Sequence, residues 1–235
     1  MNNHENILIL TALQLEAKPL ARELNASNNS TSKKYLRYTD PTDRITIAVT
    51  GVGWHQATNI FAEELTHNIP DQVLIIGICG GLNPRLKAGN LHTPQQVITK
   101  ELPPISATWK IKNAEGTLLT TQRILSTPVE KLETHDQYHA DIVDMETYHL
   151  GKMCNERNIP FAMIRAVSDD CKTTLPPWLS TLTHVDGTAN IRAAIKHLIR
   201  NPRSLPILLQ MQQATKNATL NLSAKVAQLL ADILK

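Results

Sequence analysis

Two short acidic clusters hold the residues best suited to chemistry, Val143-Asp-Met-Glu-Thr-Tyr148 and Ile164-Arg-Ala-Val-Ser-Asp-Asp170. Asp169 stands where an apolar run stops, a place that suits a proton donor kept partly dry. Glu146 stands at the start of a helix, where the helix dipole favours a carboxylate. A plain helix cap explains an acid there equally well. Glu16 is a third carboxylate, placed at a strand-to-helix turn. Carboxylates in such positions are candidates for general acid and base work.

The surrounding pattern predicts what must hold them. Residues 150–157 read as a helix and 159–167 as a buried strand, so each acidic cluster lies at the edge of a sheet. Ligands of open α/β sheets bind at the carboxyl edges of strands. Ile7–Thr11 is a continuous apolar run, as expected of a strand covered on both faces. Residues 13–25 read as helical, with Pro19 tolerable only close to the helix start. Residues 44–50 form a strand that runs into Gly51-Val-Gly53, with a helix over 54–66. That Gly-x-Gly lacks the third glycine of a dinucleotide fingerprint, so it predicts a tight turn open to a ligand. A further strand over 72–77 breaks into Ile78-Cys-Gly-Gly-Leu82. Six of the nine glycines fall between positions 51 and 89, which places a site at these two strand ends.

Downstream, 91–99 reads as a strand, 103–115 as irregular, 116–125 as a strand entering a loop, and 128–139 as a helix. His135 and His139 are spaced i, i+4, but no third ligand supports a metal, and surface histidines are the plainer reading. Leu175-Pro-Pro-Trp178 directly follows the second acidic cluster and is a candidate wall of the pocket, or simply a connector. Residues 187–200 and 204–235 read as helices. The alternation predicts one α/β domain over 1–235, with a mixed, mostly parallel central sheet flanked by helices.

The composition is that of an ordinary globular chain, 42% hydrophobic and 19% charged over 235 residues. Three cysteines show no CxxC spacing, and buried reduced thiols are expected. No signal core or membrane-spanning run is present, so a cytoplasmic protein is expected. The net charge of +3 conceals a step. Residues 187–235 carry seven Lys or Arg against one acid, or +6, and the first 186 carry 17 basic and 20 acidic groups, or −3. A basic segment of this kind points to peripheral contact with an anionic membrane surface, or to a solvated basic helix face. Nothing suggests nucleic-acid binding.

Five motifs fall in the order and spacing of a known family. Thr11-Ala-Leu-Gln-Leu-Glu16, Gly51-Val-Gly53, Gly77-Ile-Cys-Gly-Gly-Leu82 with Leu86-Lys-Ala-Gly89, Val143-Asp-Met-Glu146 and Arg165-Ala-Val-Ser-Asp169 together resemble the nucleoside phosphorylase / methylthioadenosine–adenosylhomocysteine nucleosidase family. Leu175-Pro-Pro-Trp178, Val185-Asp-Gly187 and the tail from Arg200 to Leu209 resemble its hopanoid-associated phosphorylase branch, which removes adenine from adenosylhopane. The resemblance implies a three-layer sandwich and cleavage of the N-glycosidic bond of an adenine nucleoside with a hydrophobic 5′ substituent. It implies that Asp169 is the acid at purine N7 and that Glu16 activates water. It makes Glu146 the partner of the ribose hydroxyls, with Met145, Ile124, Leu125, Ser168, Ile78 and Gly80 lining the substrate. Gly51 and Gly53 would border the water or phosphate. A homodimer is implied, with no metal or organic cofactor and phosphate as an optional co-substrate.

The chain also departs from the family pattern. Ile78 is apolar where the nucleosidases commonly carry a hydroxyl, Cys171 replaces a common alanine, and Gly89-Asn90 replaces Gly-Asp. The phosphate loop of the hexameric phosphorylases is absent at 11–22. Water and phosphate therefore both stay open as acceptors. A methylthioadenosine/adenosylhomocysteine nucleosidase is the first alternative, and a non-catalytic purine-nucleoside binding protein the second.

Overall fold

The computed structural model describes residues 5–30, 35–182, 200–201 and 205–234. The expected helix over 187–200 and the Val185-Asp-Gly187 motif lie outside the described residues. In chain order the elements are β1 (Ile7–Thr11), α1 (Gln14–Glu23), β2 (Ser27–Asn28), β3 (Arg37–Thr39), β4 (Ile45–Val49), α2 (Trp54–His67) and β5 (Gln72–Gly81). There follow β6 (Leu91–His92), β7 (Gln96–Ile98), β8 (Ile105–Ser106), β9 (Thr117–Thr120), α3 (Pro128–Tyr138), β10 (Ile142–Asp144), α4 (Thr147–Glu156) and β11 (Phe161–Asp169). A 3-10 turn (Pro177–Leu182) and the long α5 (Leu205–Ile233) complete the described chain.

All eleven strands join one mixed sheet. Its longest pairings are parallel: β1 with β4 and β5, and β11 with β5. Side chains alternate across a strand, so each buried strand feeds two cores. Leu8, Leu10, Val73, Ile75 and Met163 meet Ile60 and Phe61 of α2 and Leu150 of α4 on one face. Ile7, Ile9, Leu74, Ile76 and Ile164 meet Ala17 and Leu20 of α1 and Ala218, Leu222 and Val226 of α5 on the other. The result is helix, sheet, helix: the expected three-layer sandwich.

β5 is the hinge of the design. Its first half, to Ile75, pairs with β1, and its last residues, Gly80 and Gly81, pair with β10 running the opposite way. Between them, at Gly77 and Ile78, the sheet parts, and β11 alone accompanies β5 across the gap. This is a switch point in the strand order, where open sheets bind ligands.

Several boundaries differ from the sequence reading, each for a local reason. β5 does not break at Gly77 but continues to Gly81, because β11 and β10 supply hydrogen-bond partners beyond it. The single strand expected over 91–99 is two strands with different partners, β6 on β11 and β7 between β8 and β9. A short strand, β8, forms inside the excursion read as irregular. Pro19 lies inside α1 rather than near its start, and Glu16 sits in the first helical turn rather than ahead of it. His139 takes a left-handed conformation (φ 50°) just past α3, so it does not share a helix face with His135.

Candidate active site

The parting of the sheet gathers the acidic residues. Glu16 is buried, with 2% of its surface exposed. Its carboxylate accepts three hydrogen bonds, from Thr11 Oγ1 (2.5 Å), Leu13 N (2.8 Å) and Ile78 N (2.9 Å). The Leu13 bond is a helix cap, since Glu16 reaches back to the residue before α1 as an acid at the third helical position does. The Ile78 bond carries it further, tying α1 to β5 across the gap. Burial pushes the Glu16 carboxyl above its ordinary range, against the lowering effect of its three donors and of Arg165.

Glu146 precedes α4, yet its carboxylate makes no bond to its own helix. The plain-cap reading is therefore replaced by a longer reach: Oε1 accepts from Gly53 N (2.7 Å), at the start of α2. Gly53 adopts a positive φ of 86°, which glycine tolerates and which turns its amide toward Glu146. Asp144 supplies the local cap instead, accepting from Thr147 N at 3.2 Å. Trp54, next to Gly53, stacks on His149 of α4 with ring centroids 4.4 Å apart, which links the two helix starts. Burial, and then the charge of Asp144, push the Glu146 carboxyl up to about 7.

Asp144 and Arg165 form a buried ion pair at 2.6 Å, with Thr147 Oγ1 touching both. Arg165 Nε has no protein partner. A Cβ added at Gly77 would overlap Arg165 Nη1 and come 3.1 Å from Glu16 Oε1. Gly77 thus leaves the room in which Glu16 and Arg165 approach each other.

Asp169 ends β11, just past an irregularity in its pairing with β5. Its Oδ1 lies 2.6 Å from Ser168 Oγ, and its Oδ2 lies 2.5 Å from Lys131 Nζ. A Cβ on Gly80 would stand 3.5 Å from the same Oδ2. Leu125 packs with Leu82, Leu119, Ala140 and Val143 beside this end of the sheet. Ile78, Met145, Ile124 and Ser168 are half-buried. Leu175 N donates to Ser126 O (2.8 Å), so the Pro-Pro-Trp segment is anchored to the loop that carries Ile124 and Leu125.

The fold thus brings Glu16 beside Ile78, Glu146 beside Gly53, and Asp169 beside Ser168 and Gly80. These groups share one electrostatic environment: Asp144 and Glu16 both raise Glu146, and Asp169, Asp144 and Glu16 all oppose ionisation of the buried Cys79 thiol. Arg165 and Asp144 lay inside recognised motifs without an assigned role. Lys131 was missed altogether. A lysine in the opening turn of a helix meets the wrong end of the dipole, and that was its one sequence signal. No group of three or more His, Cys, Asp or Glu suited to a metal occurs among the described residues. The three cysteines are buried and free. No described helix is long and apolar enough to cross a membrane.

Comparisons with known proteins agree with this architecture. No curated protein matches the chain at a significant level. The futalosine hydrolase of Helicobacter pylori superposes with a TM-score of 0.74 at 13% identity, covering 99% of this chain and 100% of that one. The 5′-methylthioadenosine/S-adenosyl homocysteine nucleosidase of the same organism gives 0.74 at 14% identity, covering 97% and 99%. The Arabidopsis thaliana 5′-methylthioadenosine nucleosidase gives 0.73 at 17% identity, covering 97% and 96%. At such identities the likeness is one of fold. The family model described as the phosphorylase superfamily matches residues 6–103 and 99–200. By that match, over most of its length, the chain belongs to the phosphorylase superfamily.

Proposed function

We propose that the protein hydrolyses the N-glycosidic bond of an adenine nucleoside, releasing adenine. The observation that carries this reading is the convergence of Glu16, Glu146 and Asp169 at the switch point of the sheet. Cleaving a ribosyl–adenine bond leaves positive charge on the sugar and negative charge on the departing base. Asp169, at the end of β11, is placed to serve N7 of that base. Glu146, held by Gly53 N, serves the ribose hydroxyls and favours a cationic sugar. Glu16, pushed upward by burial, is a stronger base than an ordinary carboxylate and serves to take a proton from water.

Water is favoured over phosphate by charge. Among the described residues, the cation acting on Glu16 and Glu146 is Arg165, which Asp144 already pairs. A phosphate dianion would find no uncommitted cation among the described residues of the site. The Gly53 amide, the natural phosphate donor of the turn, is already bonded to Glu146. The unpartnered Arg165 Nε leaves a donor for a small polar ligand such as water. The solved structures of similar fold are named as hydrolases and nucleosidases, in keeping with this choice.

A hydrophobic 5′ substituent, as in adenosylhopane, is supported by the apolar Ile78 and by the Leu175-Pro-Pro-Trp178 segment anchored at Ser126. A 5′-methylthioadenosine/adenosylhomocysteine nucleosidase is the second reading, favoured by the named neighbours. The reading needs no metal or organic cofactor, and it carries the expectation of a homodimer. The test is adenine release from adenosine, methylthioadenosine, adenosylhomocysteine and adenosylhopane, each with and without phosphate. Release from adenosylhopane alone, unaffected by phosphate, is the expected result. A strict phosphate requirement with a ribose-1-phosphate product would replace hydrolysis by phosphorolysis. Equal turnover of the small thioethers would favour the second reading.

A further inference from the structure

Lys131 is the most deeply buried cation among the described residues, with none of its surface exposed. Its ammonium spends its three protons on Asp169 Oδ2 (2.5 Å), Asp170 O (2.9 Å) and Thr173 O (3.0 Å). It reaches them from α3, on a different element from every carboxylate of the site. Burying an ammonium is costly, and a hydrophobic residue of similar volume would often serve packing as well. Asp169 with both oxygens engaged, one by a cation and one by Ser168, is a carboxylate at rest. An acid for N7 needs a proton, and the nearest donor to Oδ2 is the Lys131 ammonium.

Resting on the nucleosidase reading, we propose that Lys131 is a positioning residue that acts through Asp169 as the proton reserve for the departing base. As the bond from C1′ to N9 breaks, its electron pair goes to the purine. The Lys131 ammonium passes a proton to Asp169 Oδ2, and Asp169 passes one to N7. The oxygen of water bonds to C1′, and its proton goes to Glu16. Adenine leaves neutral, Lys131 is left as an amine and Glu16 as an acid, and solvent returns the proton from one to the other. The same ammonium ties the backbone of 170–173 to α3, so the loop after Asp169 is fixed by the group that charges it.

Among the described residues, the buried Cys79 thiol of β5 feels Asp169 together with Arg165, Asp144 and Glu16, so these groups and the neighbouring Asp170 surround the pair. On α3 itself, Glu130 turns away to Arg123 and Ser126 N, and His135 bonds the Ala140 carbonyl. Arg165 is committed to Asp144, so Lys131 is the cation in contact with Asp169.

The test is the pH dependence of kcat for adenine release by the wild type, Lys131→Met and Lys131→Gln between pH 5 and pH 9. Without the reserve, Asp169 must take its proton from solvent. Both variants are then expected to lose about 100-fold in kcat at pH 8 and under about tenfold at pH 5, with KM little changed. A loss of equal size at every pH, or one confined to KM, would mean a structural role and overturn the proposal. If neither variant folds, the wild type decides: kcat sustained to pH 8 supports the reserve, and kcat falling steadily above pH 6 overturns it. A wild type that releases no adenine from any nucleoside would instead remove the nucleosidase reading on which this rests.

Discussion

The two ends of the site hold their carboxylates in opposite ways. Glu16 and Glu146 sit among neutral donors, backbone amides and a threonine hydroxyl, and burial raises both. Asp169 sits against a buried ammonium. Burial draws the first pair toward their protonated forms despite their amide donors, while Asp169 has a proton-bearing ammonium in direct contact. On the proposed reading, the difference separates the two tasks of glycosidic cleavage, taking a proton from water on one side of the sugar and giving one to the base on the other. One sheet provides both settings because β5 changes neighbours at Gly77, so its two halves face different surroundings.

Removing the acid should break the comparison most completely. Asp169→Asn keeps an acceptor for Lys131 but has no proton to pass, and kcat should fall about 10³-fold. Ligand affinity measured by calorimetry should change much less. Unaltered turnover would mean that Asp169 is not the acid that serves the departing base. Glu16→Gln comes next, with kcat expected to fall about 10²-fold and to show no rescue by phosphate. Rescue by phosphate would put a phosphorylase in place of the hydrolase.

The same contrast marks how far the sequence could be read. Strands and helices were legible because Ile7–Thr11 and the 159–167 run are continuously apolar and the helices repeat their apolar residues at helical spacing. Asp169 and Glu16 were legible because each interrupts such a run at its edge. What Glu146 does was only half legible: its place before a helix fits a cap, and its bond to Gly53 spans 93 positions, beyond any local pattern. The role of Lys131 was hidden for the same reason, since its partner lies 38 residues away and α3 otherwise reads as polar surface. The turn at β5 was misjudged because glycines signal a break, whereas here Gly77 stays in the strand to make room for side chains from α1 and β11.

Gly77→Ala tests that spacing directly. The new methyl would overlap Arg165 Nη1, and Arg165 cannot move aside cheaply because Asp144 and Thr147 hold its other end. Overpacking of this kind costs about 1–3 kcal/mol. Thermal unfolding should show the loss, and kcat should fall about tenfold as Glu16 and Arg165 are forced apart. A silent substitution would mean that the two groups have room to spare and that their approach is not what Gly77 protects.

The smallest effect should be the most specific. Glu146 is raised from an ordinary 4.5 to about 7, so the folded protein holds a proton there that the unfolded chain has already released. Stability from this group is therefore complete below about pH 4.5 and is lost as the pH rises toward 7. Glu146→Gln keeps an acceptor for Gly53 N and removes the charge that burial and Asp144 oppose. The variant should accordingly be more stable than the wild type by about 3 kcal/mol at pH 8 and no different at pH 4, while losing turnover. Denaturant melts at the two pH values decide it. A gain at both would make the substitution a general improvement in packing. A loss at pH 8 would mean that Arg165 supports the Glu146 anion more than burial penalises it, and the two ends of the site would then hold their carboxylates alike.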